Sequence, residues 1–174
     1  MKIDWSVMVV YEDTERREAA VRFCDLLIER FWDRYGFYLS WWSFASLMET
    51  ASVEVQIEKA LEADLIIVAA GPEGEMPAPV QVWFDSWLGQ RGDREGAIIA
   101  LNDPGSGSDE ARVGRFVYLR SVAHRAGMDY LTQVPEGVLP GIPESVDSFN
   151  ERARQMTSVL DTILHTQPPP HLLA

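Results

Sequence analysis

Residues 63–88, ADLIIVAAGPEGEMPAPVQVWFDSWL, decide the reading of this chain. Leu65 to Ala70 is an unbroken apolar run between Asp64 and Gly71, the pattern of a strand covered on both faces. Gly71-Pro72-Glu73-Gly74-Glu75 is turn chemistry. From Pro79 onward, Val80, Trp83, Phe84, Trp87 and Leu88 recur at helical spacing. Strand, loop and helix in that order form the building unit of α/β folds. Ligands of open α/β sheets bind just beyond the carboxyl ends of such strands.

Upstream of this unit, Trp5 to Tyr11 reads as a first strand, and Asp13 is placed to cap a helix running to about Trp32. Ala20, Cys24, Leu27, Ile28 and Phe31 form one face of that helix. Gly36 punctuates, and the aromatic segment Phe37 to Phe44 reads as a second strand. Phe37, Leu39 and Trp41 share one of its faces; Tyr38, Ser40 and Trp42 share the other. A second helix fits Ala51 to Leu61, with Val53, Ile57, Ala60 and Leu61 inward.

Downstream, Arg91-Gly92-Asp93 ends the central helix, and Ala97 to Leu101 is a fourth strand. The loop Asn102 to Ser108 leads to a helix capped by Ser108 or Asp109 and running to about Arg125, with Gly127 as its C-terminal glycine. Asp129 to Thr132 is a fifth strand. Val134 to Pro143 is too rich in proline and glycine to be regular. A last helix opens at Ser145 or Asp147, with Phe149, Ala153, Met156, Leu160, Ile163 and Leu164 on one face. Strands and helices thus alternate, and connections of this length require parallel strands with right-handed crossovers. The expected architecture is a three-layer α/β/α sandwich around a five-stranded parallel sheet in the order 2-1-3-4-5. It forms one domain over residues 1–166, followed by a proline-rich tail at 167–174.

Composition narrows the function classes. The chain has 174 residues, 47% of them apolar, and 15 basic residues against 27 acidic ones for a net charge of -12. No Lys/Arg cluster offers a nucleic acid its phosphate contacts. No apolar run reaches the roughly 20 residues that span a bilayer, and MKIDW is not a signal peptide, so a cytoplasmic location is expected. Cys24, the single cysteine, lies among Phe23, Leu27 and Ile28 and reads as a small buried hydrophobe. His124, His165 and His171 are scattered and form no metal motif.

The central stretch resembles NAD(P)H-dependent FMN reductases of the flavodoxin-like superfamily. These read A-D-x-I-I-x-x-x-P-E-Y-N-G-S-x-P-x-x-L-K-x-x-x-D-W-L. Ala63-Asp64, Ile66-Ile67, Pro77, Asp85 and Leu88 stand in that pattern. Gly105-Ser106-Gly107 resembles the family's glycine-rich loop after strand four, and Tyr118-Leu119-Arg120 with Gly127 resembles the helix that follows. The resemblance implies a flavodoxin-like fold and FMN as cofactor, bound through Thr14, Gly71, Glu73, Gly74, Asn102, Gly105 and Ser106, mainly by backbone amides. It implies no side-chain catalyst, since flavin chemistry belongs to the cofactor.

Two positions depart from the pattern. Where the family's first loop offers Gly, Ser, Thr and Asn to a phosphate, this chain has Tyr11-Glu12-Asp13-Thr14-Glu15. Two like unit charges about 4 Å apart repel by on the order of 1 kcal/mol in bulk water and about 4 kcal/mol near a protein surface. Arg16 and Arg17 offset part of this if they fold back. Gly74-Glu75 stands where the family has Tyr-Asn, which removes an aromatic contact to the flavin. A second reading therefore stands beside the first: a non-catalytic interaction or signalling module on the same fold, without cofactor.

Other candidates are weaker. Glu12-Asp13, Ala126-Gly127 and Tyr130-Leu131-Thr132 resemble response-regulator receiver domains, but Ala69 or Ala70 replaces the phosphoacceptor and Gln133 the lysine. Glu73 and Glu75 could serve as an acid–base pair, although solvated loop carboxylates explain them more simply. The stripe from Val80 to Leu88 is wider than one buried face needs and points to a homodimer through that helix.

Overall fold

The computed structural model describes residues 2–101 and 110–132. Its strands are β1 (Ile3–Tyr11), β2 (Tyr35–Ser43), β3 (Leu65–Ala69), β4 (Ala97–Leu101) and β5 (Asp129–Thr132). They pair in the order β2-β1-β3-β4-β5, and every pairing is parallel. The helices are α1 (Thr14–Phe31), α2 (Val53–Glu62), α3 (Ala78–Trp87) and α4 (Glu110–Ala126). The architecture is the flavodoxin-like one expected from the sequence.

The central strands are buried on both faces, and residue parity sorts their side chains into two cores. Met8, Val10, Ile66, Val68, Ile98 and Ala100 face α2, α3 and α4. Val7, Val9, Leu65, Ile67, Ile99 and Leu101 face Phe23, Leu27 and Phe31 of α1. A one-residue slip in any strand would exchange these faces, so burial on both sides specifies the register. Each large apolar side chain fully withdrawn from water contributes roughly 1.5–3 kcal/mol.

In α3, Val80, Trp83, Phe84 and Trp87 all lie in the first core, with Trp83 and Trp87 edge to face. The wide aromatic stripe thus packs within the chain. Val82 is the exposed large apolar residue of this helix. Pro79 sits in the first turn of α3, where its missing N–H removes no helical bond. At the far end of α4, Gly127 adopts φ 67°, and Met128 N–H reaches Ala123 O at 2.9 Å to close the helix.

One expectation needs correction. Gly36 lies inside β2 rather than before it, because it pairs with Asp4. Arg91 follows the end of the α3 helix as expected, and it is buried. It donates to Ala60 O (2.9 Å), Ala63 O (2.7 Å) and Glu95 O (2.7 Å), gathering the end of α2 and the approach to β4. In α2, Ala60 is buried and half-buried Ile57 and Leu61 pack against the first core as expected, while Gln56 is buried as well. Gln56 is satisfied on one side by Nε2 donating to Ser46 O (2.8 Å) and Ser52 Oγ (2.9 Å).

The helix expected from Ser145 or Asp147, the 167–174 tail and the cap at Ser108 or Asp109 lie outside the described residues. Among the described residues no helix is long and apolar enough to cross a membrane.

Candidate functional site

A parallel sheet opens its carboxyl edge where the loops after β1 and β3 diverge. Asp13 begins the first of these loops in extended backbone, and its carboxylate accepts the Arg16 N–H at 2.9 Å. This is the N-cap expected from the sequence, and it occupies the first turn of α1 with a carboxylate. Thr14, the next residue, is the exposed first residue of α1.

Glu12 points the other way, into the gap between β1 and β3. Its backbone continues the sheet, with Glu12 N–H donating to Ala69 O at 3.0 Å. Its carboxylate receives the Gly71 N–H at 3.4 Å and pairs with Arg115 of α4, 103 residues away. Arg115 also donates from Nη1 to Gly71 O at 3.2 Å. The pair is unequal in burial: the Arg115 side chain is 9% exposed, that of Glu12 31%. A guanidinium this deep requires an anion, since an isolated charge in a protein interior is costly.

Arg16 completes the cluster. Its Nε and Nη2 lie 3.7 and 3.8 Å from where a Gly71 side chain would begin, and Glu12 Oε1 lies 3.5 Å from the same point. Gly71 thus lacks a side chain where two guanidinium atoms and a carboxylate converge. Gly74, at φ 81°, holds a left-handed turn, and its absent Cβ would meet Arg115 Nη2 at 3.8 Å. Neither Arg16 Nε nor Arg115 Nε has a hydrogen-bond partner among the described residues, and both are buried. Arg17 turns aside to stack over Tyr11 and Trp41.

The acidic first loop therefore meets more positive charge than its neighbourhood in sequence suggested. Glu12 is neutralised by Arg115, with Arg16 beside it. For an anionic cofactor, the donor set fits at the guanidinium pair and not in the α1 turn, which Asp13 closes.

Of the expected site residues, Gly71 lies against the cluster and Gly74 borders it, while Thr14 is an exposed residue at the start of α1. Glu73 is an exposed loop residue, as is Glu75, which fits solvated carboxylates better than an acid–base pair. Asn102, Gly105 and Ser106 lie outside the described residues. Asp64, part of the family-like pattern, sits at the opposite edge of the sheet, where its Oδ2 accepts Ser6 N–H at 2.8 Å and ties β3 to β1. Asp85 faces Arg125 at 3.4 Å across the α3–α4 surface. These two positions belong to the scaffold.

Arg115 was missed in the sequence, although a signal is there. Arg115, Leu119, Val122 and Ala126 fall at i, i+4, i+7 and i+11, and the last three are buried. Arg16, Ala20, Phe23 and Leu27 repeat the same spacing on α1. In each helix an arginine extends the apolar stripe by one turn towards the amino end, which is the carboxyl edge of the sheet.

No group of three or more His, Cys, Asp or Glu side chains among the described residues could hold a metal ion. Burial by the first core raises the Tyr118 phenol to about 12, with Asp85 adding to the shift and Arg125 opposing it. Burial, with Asp25 in support, raises the Cys24 thiol to about 12 and makes it a poor nucleophile.

Sheet order, helix placement and carboxyl-edge site together define an open parallel α/β protein of flavodoxin-like topology. Among solved structures, an oxidoreductase from Corynebacterium diphtheriae aligns at TM-score 0.55 and 17% identity, over 94% of this chain and 98% of that one. A flavo di-iron protein from Thermotoga maritima aligns at TM-score 0.50 and 10% identity, over 95% of this chain but 37% of its own. At these identities the likeness establishes the fold. No protein-family model matches the chain, and no curated protein matches it in sequence.

Proposed function

We propose that the protein is a flavodoxin-like oxidoreductase that binds FMN at the carboxyl edge of its sheet. The observation that carries this reading is Arg115. A nearly buried guanidinium is delivered by α4 to the gap between β1 and β3, with Nε unpartnered among the described residues and side-chain-free Gly71 and Gly74 beside it. Ligands of this fold class enter at that edge. The similarity in fold to an oxidoreductase and to a flavo di-iron protein supports the same reading.

In this reading the chain supplies binding and electrostatics. Arg115 and Arg16 face the anionic part of the ligand, and the loop from Gly71 to Pro77 borders it. That loop is tied down by Gln81 Nε2, which donates to Met76 O at 2.7 Å. A bound flavin would supply the electron and hydride transfer.

One observation favours a second reading. Glu12 places a carboxylate on Arg115 where a cofactor phosphate would compete, as expected of a cofactor-free interaction module. A titration separates the two. The flavin reading expects saturable quenching of FMN fluorescence at micromolar protein, and NAD(P)H oxidation by the FMN-loaded protein. Protein that leaves FMN fluorescence unchanged into the millimolar range would refute the flavin reading and leave the module.

A further inference from the structure

We propose that Glu12 is a built-in occupant of an oxyanion site: Arg115, with Arg16 beside it, holds a phosphate group in exchange for the Glu12 carboxylate. The inference rests on the carboxyl edge being the ligand site, and it names the part of the ligand held there.

The two halves of the ion pair are held differently. Arg115 is nearly buried, next to buried Phe116, and its Nη1 is also held by Gly71 O at 3.2 Å. Glu12 stands at the rim with nearly a third of its side chain in water. It can rotate outward and be hydrated, whereas Arg115 cannot follow. The amide contact holding the carboxylate is also loose, since 3.4 Å from Gly71 N lies beyond the usual N–H···O range.

The donors exceed what one carboxylate uses. Arg115 engages Glu12 through Nη1 while its buried Nε has no hydrogen-bond partner among the described residues, although the guanidinium fork suits bidentate binding of an oxyanion. Arg16 brings a second buried Nε, likewise without a partner among the described residues, to the same point beside Gly71. Glu12 carries one negative charge against two guanidinium groups. A phosphate monoester carries close to two and presents three terminal oxygens, matching both the charge and the donors better. Asp13 does not compete, because its carboxylate caps α1, and Glu15 is an exposed residue of the first turn. Exchange of one anion for another also removes the need to bury an uncompensated guanidinium in the ligand-free protein.

The test uses the full chain with inorganic phosphate as probe, read by thermal unfolding against chloride of equal ionic strength. Glu12→Gln should unfold at a lower temperature than wild type in chloride, because Arg115 then lacks its anion. Phosphate should restore the loss, and the variant should bind phosphate tighter than wild type by about tenfold or more. Adding Arg115→Met to Glu12→Gln should abolish the phosphate response. Glu12→Asp, which keeps the charge on a shorter arm, should fall between wild type and Glu12→Gln and serves if the latter does not fold. Equal phosphate responses in wild type and the Glu12 variants, or a response that survives Arg115→Met, would overturn the proposal.

Parallel titrations with FMN and riboflavin keep this separate from the flavin reading. A phosphate response that depends on Arg115, without flavin binding, upholds the exchange and defeats the flavin. FMN and riboflavin bound equally, with no effect of Glu12→Gln, uphold the flavin and defeat the exchange.

Discussion

Replacing Arg91 by methionine removes a guanidinium that three backbone carbonyls share while keeping most of the volume of its stem. Arg91 donates at 2.7–2.9 Å to Ala60 O, Ala63 O and Glu95 O, and at 3.4 Å to Leu61 O, which is too long to weigh equally. Hydrogen bonds from charged donors contribute roughly 1.5–3 kcal/mol each, so three would sum to about 4.5–9 kcal/mol. Two effects reduce that sum. Burial already opposes the charge, holding the Arg91 pKa down to about 10 with Arg94 adding and Asp64 opposing. The carbonyls at the end of α2 can also recruit water once the guanidinium has gone. A loss of about 3 kcal/mol is the expected outcome, with Arg91→Lys recovering only part, because an ammonium cannot span the same carbonyls. Arg94 provides the contrast. It reaches Glu62 O and Asp64 from a half-exposed position, and Arg94→Met should cost about 1 kcal/mol or less. Urea unfolding followed by tryptophan fluorescence reads both. With m on the order of 1–3 kcal/mol/M, the Arg91→Met midpoint should fall by about 1–3 M at unchanged m. If Arg91→Met lost no more than Arg94→Met, Arg91 could not be the clasp between α2 and β4.

Two glycines that look alike in sequence should respond differently to alanine. At Gly96 a Cβ would overlap Arg91 Nη2 and come within 3.0 Å of Asp64 O, a backbone atom that cannot yield, so Gly96→Ala should cost about 1–3 kcal/mol. At Gly36 the obstacle is the end of the exposed Asp4 side chain, which can swing away, so Gly36→Ala should stay within about 0.5 kcal/mol; equal midpoint shifts in urea would contradict this. In alkali, Tyr118 and Cys24 hold their protons to about 12, against 10.0 and 9.0 as ordinary values. The unfolded chain releases those protons first, so both groups lower stability as pH rises, through pH 10–12 for Tyr118 and pH 9–12 for Cys24. Tyr118→Phe should flatten the stability–pH curve in its window, and a variant curve parallel to wild type would exclude that origin. At neutral pH the same substitution should be neutral or mildly stabilising, because the Tyr118 hydroxyl is buried without a hydrogen-bond partner among the described residues.

The sequence alone determined the alternation of elements, the parallel sheet and its order. Runs such as Leu65–Ala69 and Ala97–Leu101 are apolar at every position, and only a strand covered on both faces accommodates them. The Asp13 cap and the Gly127 terminus were legible for a related reason, since each satisfies backbone groups within a few residues of itself. The resemblance also named Gly71 and Gly74, in the turn after β3, as candidates. The tertiary structure alone decided which charges meet. Glu12 read as a repulsive neighbour for an anion until α4 brought Arg115 against it, and Arg91 read only as a helix end until the end of α2 and the approach to β4 closed on its guanidinium. Gly36 read as a break until the register set it beside Asp4. Periodicity reports which positions are buried, because burial repeats along a helix or strand. It carries no information about which distant group compensates a buried charge, since that pairing depends on how the helices cross the sheet.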